Sequence, residues 1–202
     1  MSSVNQSEID DFWTDAKVRA GLNPTSAYTG PNPADSVPPP AWSFGATPQE
    51  ADELLALVLD GTKTATASAL WDYDSGERDD ELEDPLDELD DDNGDDVGEG
   101  DGLPGSGDLS IVLDGAGHPR ALIRTTDVRV VPFDEVDDEH ARAEGEGDRS
   151  LTHWRAVHER FFREHADHDR EFSPRMPVVL ERFEVLVPVE LRPDQPRFFG
   201  RG

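Results

Sequence analysis

An α+β domain built on a small mixed or antiparallel sheet with flanking helices is predicted, and three observations carry that prediction. Segments with a two-residue apolar period are few and unequal in length, segments with a helical period interrupt them, and no regular strand-helix-strand repeat runs through the chain. At 202 residues there is room for one folded domain with a buried core and some extra segments. Pattern alone leaves open whether the sheet closes on itself.

Ser7 followed by Ile9, Phe12, Trp13, Ala16 and Ala20 predicts an amphipathic helix with a serine cap, ended by Gly21. The proline-rich stretch 22–40 has no period, so residues 1–40 read as a helix and a tether. In TPQEADELLALVLDG, Thr47 and Glu50 make a capping box, Pro48 takes the first helical position and Gly61 supplies a left-handed stop. Ala51, Leu54, Leu55, Val58 and Leu59 form its buried stripe. The β-branched run from Thr64 to Trp71 then reads as a strand, which puts Lys63 at a helix-to-strand junction.

Residues 78–102 carry 14 of the 46 acids and one base, and bury too little apolar surface to offset chain entropy; an acidic, disordered loop insertion is expected there. After it, GDLSIVLDGAGHPRALIRTTDVRVVPF predicts two strands joined by a hairpin at Asp114 to Gly117. FDEVDDEHARAEGEG predicts a short helix stopped by Gly145. Ser150 to His165 predicts another, with Leu151, Trp154, Val157, His158, Phe161 and Phe162 inward. MPVVLERFEVLVPV supplies a closing strand. The main domain therefore runs over 41–188, followed by a coil tail at 189–202.

The formal charge of −28 argues against a general grip on polynucleotides, which rests on Lys and Arg releasing counterions. Outside 78–102 the charge falls to about −15, and screening lets a local cleft hold a small substrate. No run of about 18 apolar residues is present, which predicts no membrane partner, and the acidic start does not resemble an export signal. A cytoplasmic location is expected. The absence of cysteine excludes disulfides, thiolate metal sites and cysteine nucleophiles. His165 and His168 share a helix face without an HExxH pattern, so neither a metal site nor another cofactor is expected.

Only two lysines stand against 16 arginines, and one of them is Lys63. A helix C-terminus attracts any cation, but an amine can shed its proton when desolvated, whereas a guanidinium cannot. Thr64, Thr66 and Ser68 alternate as on one strand face, which by itself is ordinary strand chemistry. Period two sets Lys63 and Thr66 on opposite faces unless Lys63 lies in the turn or a bulge intervenes. Glu144, at the end of a helix, sits where an anion is disfavoured and a cation makes a natural partner. Trp42 and Phe44 are candidates to stack on a base or to join the core. Arg120, Arg124 and Arg129 are candidate phosphate contacts or simply a wet strand face, and His158 is core or cleft lining.

The stretch WSFGATPQEADELLALVLDGTKTATASALW, the hairpin-to-helix segment from Gly107 to Phe162, and MPVVLERFEVL resemble the ASCH domain family, which is similar to the PUA fold. The likeness runs from about Trp42 to Leu186; relatives pass almost directly from Gly76-Glu77 to Leu103-Pro104, skipping the acidic stretch. G-x-K-T-x-T with the later H-A-x-x-E-G is specific when taken together. The resemblance implies a mixed β-barrel with flanking helices and a cleft for RNA or a modified nucleoside as partner. Members include RNA-binding modules, ribonucleases and amidohydrolases acting on N4-acetylcytidine. Residue by residue, it implies catalytic roles for Lys63, Thr66 and Glu144. Beside them, Trp42, Phe44, Thr64, Ser68, Arg124 and His158 are read as candidate substrate contacts. A partner for the acidic insertion is not implied.

Overall fold

The computed structural model describes residues 6–22, 37–73, 102–165 and 170–188. The expected acidic insertion up to Asp101, most of the tether and the tail lie outside them. In order, the chain forms α1 (Gln6–Arg19), β1 (Ala41–Trp42), α2 (Pro48–Leu59), β2 (Ala65–Ala69), β3 (Leu109–Leu113), β4 (Pro119–Pro132), α3 (Asp138–Glu144), α4 (Leu151–His165) and β5 (Pro177–Val187). Short 3-10 turns occupy Leu70–Tyr73 and Phe133–Glu135. The strands make one sheet in the order β1-β3-β4-β5-β2, with β1 parallel to β3 and the β3–β4 and β2–β5 pairs antiparallel. The α+β class is as predicted. The implied barrel is corrected: β1 and β2 end the order, and among the described residues the sheet does not close. Closure needs both end strands to pair along a tilted register, and β1, two residues long, offers too few backbone groups.

The residues divide into two compact units. One carries α1, β1, α2, β3, β4 through Arg124 and β5 from Phe183; the other carries β2, β4 from Thr125, α3, α4 and β5 through Arg182.

In the first unit, β3 reads LSIVL, and its last three residues, Ile111 to Leu113, are consecutively apolar and buried because both faces are covered there. Ile111 and Leu113 pack with Ile9, Trp13 and Ala16 of α1, while Val112 packs with Leu55 and Val58 of α2. The capping box forms as predicted: Thr47 accepts from the Glu50 amide at 3.2 Å and the Glu50 carboxylate accepts from the Thr47 amide at 3.0 Å. Gly61 takes φ 79° after the helix. Asp52 binds the Gly115 amide at 2.8 Å, and a Cβ on Gly115 would lie 2.0 Å from the Pro48 carbonyl oxygen, so only glycine lets the hairpin meet α2. The serine cap expected for α1 is corrected, since the helix already includes Gln6 and Ser7 lies within its first turn.

In the second unit, Trp154 and Phe162 of α4 pack with Phe133, Ala141, Ala69, Val178 and Leu180. The strand expected to reach Trp71 stops at Ala69. Ala69 pairs with Val178, and the next residue of β5 toward its start is Pro177, which has no N–H to continue a ladder. The single helix expected over Phe133 to Gly145 is a 3-10 turn, then Val136 in extended conformation, then α3 capped by Asp137. Ser150 stands outside α4 as its cap, accepting from the His153 amide at 3.1 Å.

Thr47→Ala removes one side of the capping box on an exposed helix end. It should cost about 1 kcal/mol, read as a fall of roughly 2–4 °C in the thermal midpoint.

Candidate active site

Glu144 is the last residue of α3 and is buried to 1% exposure. Asp137 starts the helix by accepting from the His140 amide at 2.7 Å, and Gly145 ends it with φ 76°. The helix thus has seven residues, and its C-terminal carbonyls need partners from elsewhere. One comes from the run into β2: the Thr64 amide donates to the Ala143 carbonyl at 2.7 Å.

An anion buried this fully is costly unless donors surround it. The Trp154 indole Nε1 donates to Glu144 Oε1 at 2.7 Å. His140 Nε2 lies 3.1 Å from the same oxygen, from one turn earlier on α3, and His158 Nε2 lies 3.5 Å from it. His158 is itself aligned by Nδ1, 3.0 Å from the Trp154 carbonyl, and its ring stacks on the Trp154 indole at 4.2 Å and 18°. His158, expected as core or cleft lining, is therefore bound to the carboxylate's surroundings. His140 and Trp154 were not singled out as partners of Glu144. Their spacings, His140 to Glu144 and Trp154 to His158, both four residues on a helix, are the signal that marks them. Among the described residues no group of three or more histidines and carboxylates is disposed to hold a metal ion.

Thr66 and Ser68 lie on one face of β2, and Ala67 and Ala69, on the other, face the core of Trp154 and Leu180. Glu181 stands directly across from Thr66, and its carboxylate accepts from the Thr125 hydroxyl at 3.2 Å. Ser68 Oγ is 2.8 Å from the Tyr73 hydroxyl. This makes a polar strip of Thr66, Ser68, Tyr73, Thr125 and Glu181. Thr64, just before the strand, also brings its hydroxyl to 3.4 Å from the Ala143 carbonyl.

In the first unit, Lys63 is buried to 1%. It lies between α2 and β2, outside the regular strand, with its amide on the Leu57 carbonyl at 2.9 Å. Strand alternation therefore does not fix its direction relative to Thr66. Its ammonium sits 5.2 Å from the Phe44 ring centroid, a cation–π contact, and Trp42 meets Phe44 edge-on at 4.6 Å. Phe44 belongs to the core with Leu55 and Val58. Arg124 is held by Glu184, its Nε 2.9 Å from the carboxylate, and Arg120 lies 3.8 Å from Asp114. In the second unit, Arg129 lies 3.7 Å from Asp127 and 3.8 Å from Asp137.

The sequence profile of the ASCH domain matches residues 40–98 and 93–187. The chain belongs to the ASCH domain family. Among solved structures it is similar to protein EF3133 of Enterococcus faecalis V583, of family DUF984, at 30% identity and TM-score 0.64, covering 90% of this chain and 94% of that one. An ASCH domain from Lactobacillus crispatus JV V101, at 23% identity and TM-score 0.63 over 89% of this chain and 94% of that one, shares the fold. No curated protein matches. The α+β fold of this ASCH domain is PUA-like, and among the described residues no helix is long and apolar enough to cross a membrane.

Burial raises the Tyr73 hydroxyl above the ordinary 10.0, while the Ser68 hydrogen bond opposes that shift. The neutral phenol is the form the fold favours, so its contribution is complete below the ordinary tyrosine value and is lost as pH rises through the folded one. Near-ultraviolet difference absorbance should find Tyr73 ionising above pH 10.0, and Ser68→Ala should move that transition higher still.

Proposed function

We propose that this ASCH domain is a hydrolase acting on an RNA-derived substrate, with the amide of an N4-acetylated cytidine nucleoside as the concrete case, and that Lys63, Thr66 and Glu144 are its working groups. One observation carries the reading: in the second unit the segment leading to Thr66 is bonded to the end of the helix that carries Glu144, a carboxylate 1% exposed, and Lys63, next in the chain before that segment, is an amine buried to the same extent. The Thr64 amide, two residues before Thr66, donates to the carbonyl of Ala143, the residue before Glu144. Buried charges without a role are rare because each needs compensation.

In this reading the Lys63 amine takes the Thr66 hydroxyl proton, and the oxygen attacks the acetyl carbonyl. The C–N bond then breaks as Glu144 delivers a proton to the departing N4 nitrogen. Water hydrolyses the resulting acetyl ester, restoring the Thr66 hydroxyl and releasing acetate. A cationic Lys63 serves the same reaction by steadying the oxyanion. Thr64 and Ser68, neighbours of Thr66, would contact the nucleoside, and Trp42 offers a ring for stacking.

Charge supports a nucleoside over a polymer. Arg120, Arg124 and Arg129, the strand's candidate phosphate contacts, each lie beside a carboxylate. A polynucleotide would have to displace those partners, while a nucleoside has no phosphate to place.

The test is incubation of the full chain with N4-acetylcytidine and, separately, with single-stranded RNA. Expected is conversion to cytidine and acetate, with intact RNA and a loss of about 100-fold or more in Lys63→Ala and in Glu144→Gln. Cleaved RNA, or retarded but intact RNA without acetate release, would replace this reading by a ribonuclease or a binding module. Undiminished acetate release in Lys63→Ala would remove the lysine from the mechanism.

A further inference from the structure

The hydrogen bonds around Glu144 restrict where protons sit in the second unit. Indole Nε1 can only donate, so Glu144 Oε1 accepts from Trp154 at 2.7 Å. The Trp154 carbonyl can only accept, so the His158 Nδ1 at 3.0 Å from it carries a hydrogen. His140 Nδ1 is buried with no hydrogen-bond partner among the described residues. A buried N–H without an acceptor is the more costly alternative to an unused lone pair, so the His140 hydrogen belongs on Nε2, donating to Glu144 at 3.1 Å. Oε1 thus already accepts two hydrogen bonds, which is the behaviour of an ionised carboxylate.

His158 Nε2 faces that same oxygen at 3.5 Å. With Nδ1 protonated, a neutral His158 would turn a lone pair toward a carboxylate oxygen and lose energy. A hydrogen on Nε2 makes the contact attractive, and the resulting imidazolium lies stacked on the indole at 4.2 Å, where the ring face favours a cation. Of the other charged groups on these helices, Arg155 donates to the Asp134 and Val136 carbonyls, Glu139 pairs with Arg182, Asp138 with Arg142 and Glu159 with Arg163.

We infer that His158 stands as an imidazolium against Glu144, and that it is the positioning residue which holds the exchangeable proton of this carboxylate. His158 Nε2–H passes to Glu144 Oε1 before the carboxyl delivers that proton to the departing N4 nitrogen; the N–H bond breaks, the O–H bond forms, and the neutral His158 keeps Nδ1–H on the Trp154 carbonyl until the proton released on hydrolysis of the acetyl ester restores the imidazolium. His140 and Trp154 stay as fixed donors. The part of this inference that concerns turnover rests on the hydrolase reading; the proton location does not.

The protonation arm uses long-range proton–nitrogen NMR of the histidine rings in the full chain. At about pH 7.5, where an exposed histidine is mostly neutral, His158 should show hydrogen on both ring nitrogens and His140 on Nε2 alone. In Glu144→Gln, His158 should revert to the neutral Nδ1–H form. A neutral His158 in the unaltered chain would overturn the inference, whatever the protein hydrolyses. The catalytic arm compares His158→Gln and His158→Phe on N4-acetylcytidine. Expected is a fall of about tenfold or more in kcat with KM nearly unchanged, and an altered pH–rate profile. An unchanged kcat and profile would deny His158 the positioning role even if the imidazolium is found. Absence of acetate release by the unaltered chain, with the imidazolium present, sinks the hydrolase reading alone.

Discussion

A carboxylate enclosed at the end of a seven-residue helix is the constraint around which the second unit is organised. Water removed from an anion must be replaced by oriented donors, and here α4 contributes an indole and an imidazole while α3 contributes a second imidazole. That need explains why α4 turns Trp154 and His158 inward on successive turns. It also explains why α3 begins and ends so sharply, with Asp137 at one end and Gly145 at the other. The aromatic packing of Trp154 with Phe133 and Phe162 then fixes the indole whose N–H the carboxylate uses.

Much of the fold was legible because local chemistry and final structure agree. The Thr47 capping box, the Gly61 and Gly145 stops, the Asp114–Gly117 turn and the periodicities of α2, α4 and β5 depend on neighbours in sequence. What escaped depends on distant partners. β1 is two residues in a proline-rich approach, and only its pairing to Ile111 and Val112 makes it a strand. Trp71 has a strand-former's side chain, yet β2 ends earlier because its neighbour begins with a proline. Ser7 looked like a cap because capping chemistry recurs along helices, and only backbone geometry selects the residue at the end.

The site was legible in parts. Lys63 stood out by being a lysine in an arginine-rich chain, and Glu144 by its place in a motif. The convergence of Trp154, His140 and His158 on one oxygen was not readable from spacing alone, since it needs the two helices packed together. The chain's acidity, prominent in composition, is matched locally by arginines that lie beside carboxylates on and around β4 and β5, so basic residues on a strand did not mean a basic surface.

The shorter of the two contacts between Thr64 and Ala143, amide to carbonyl, is made by main-chain atoms. That amide hydrogen bond depends little on which side chains occupy the two positions, whereas the Thr64 hydroxyl, 3.4 Å from the same carbonyl, is lost with the side chain. Proline at position 64 is the exception, because it lacks the hydrogen that the contact uses. Any other residue at position 64 keeps the backbone donor that ties the approach of β2 to the end of α3.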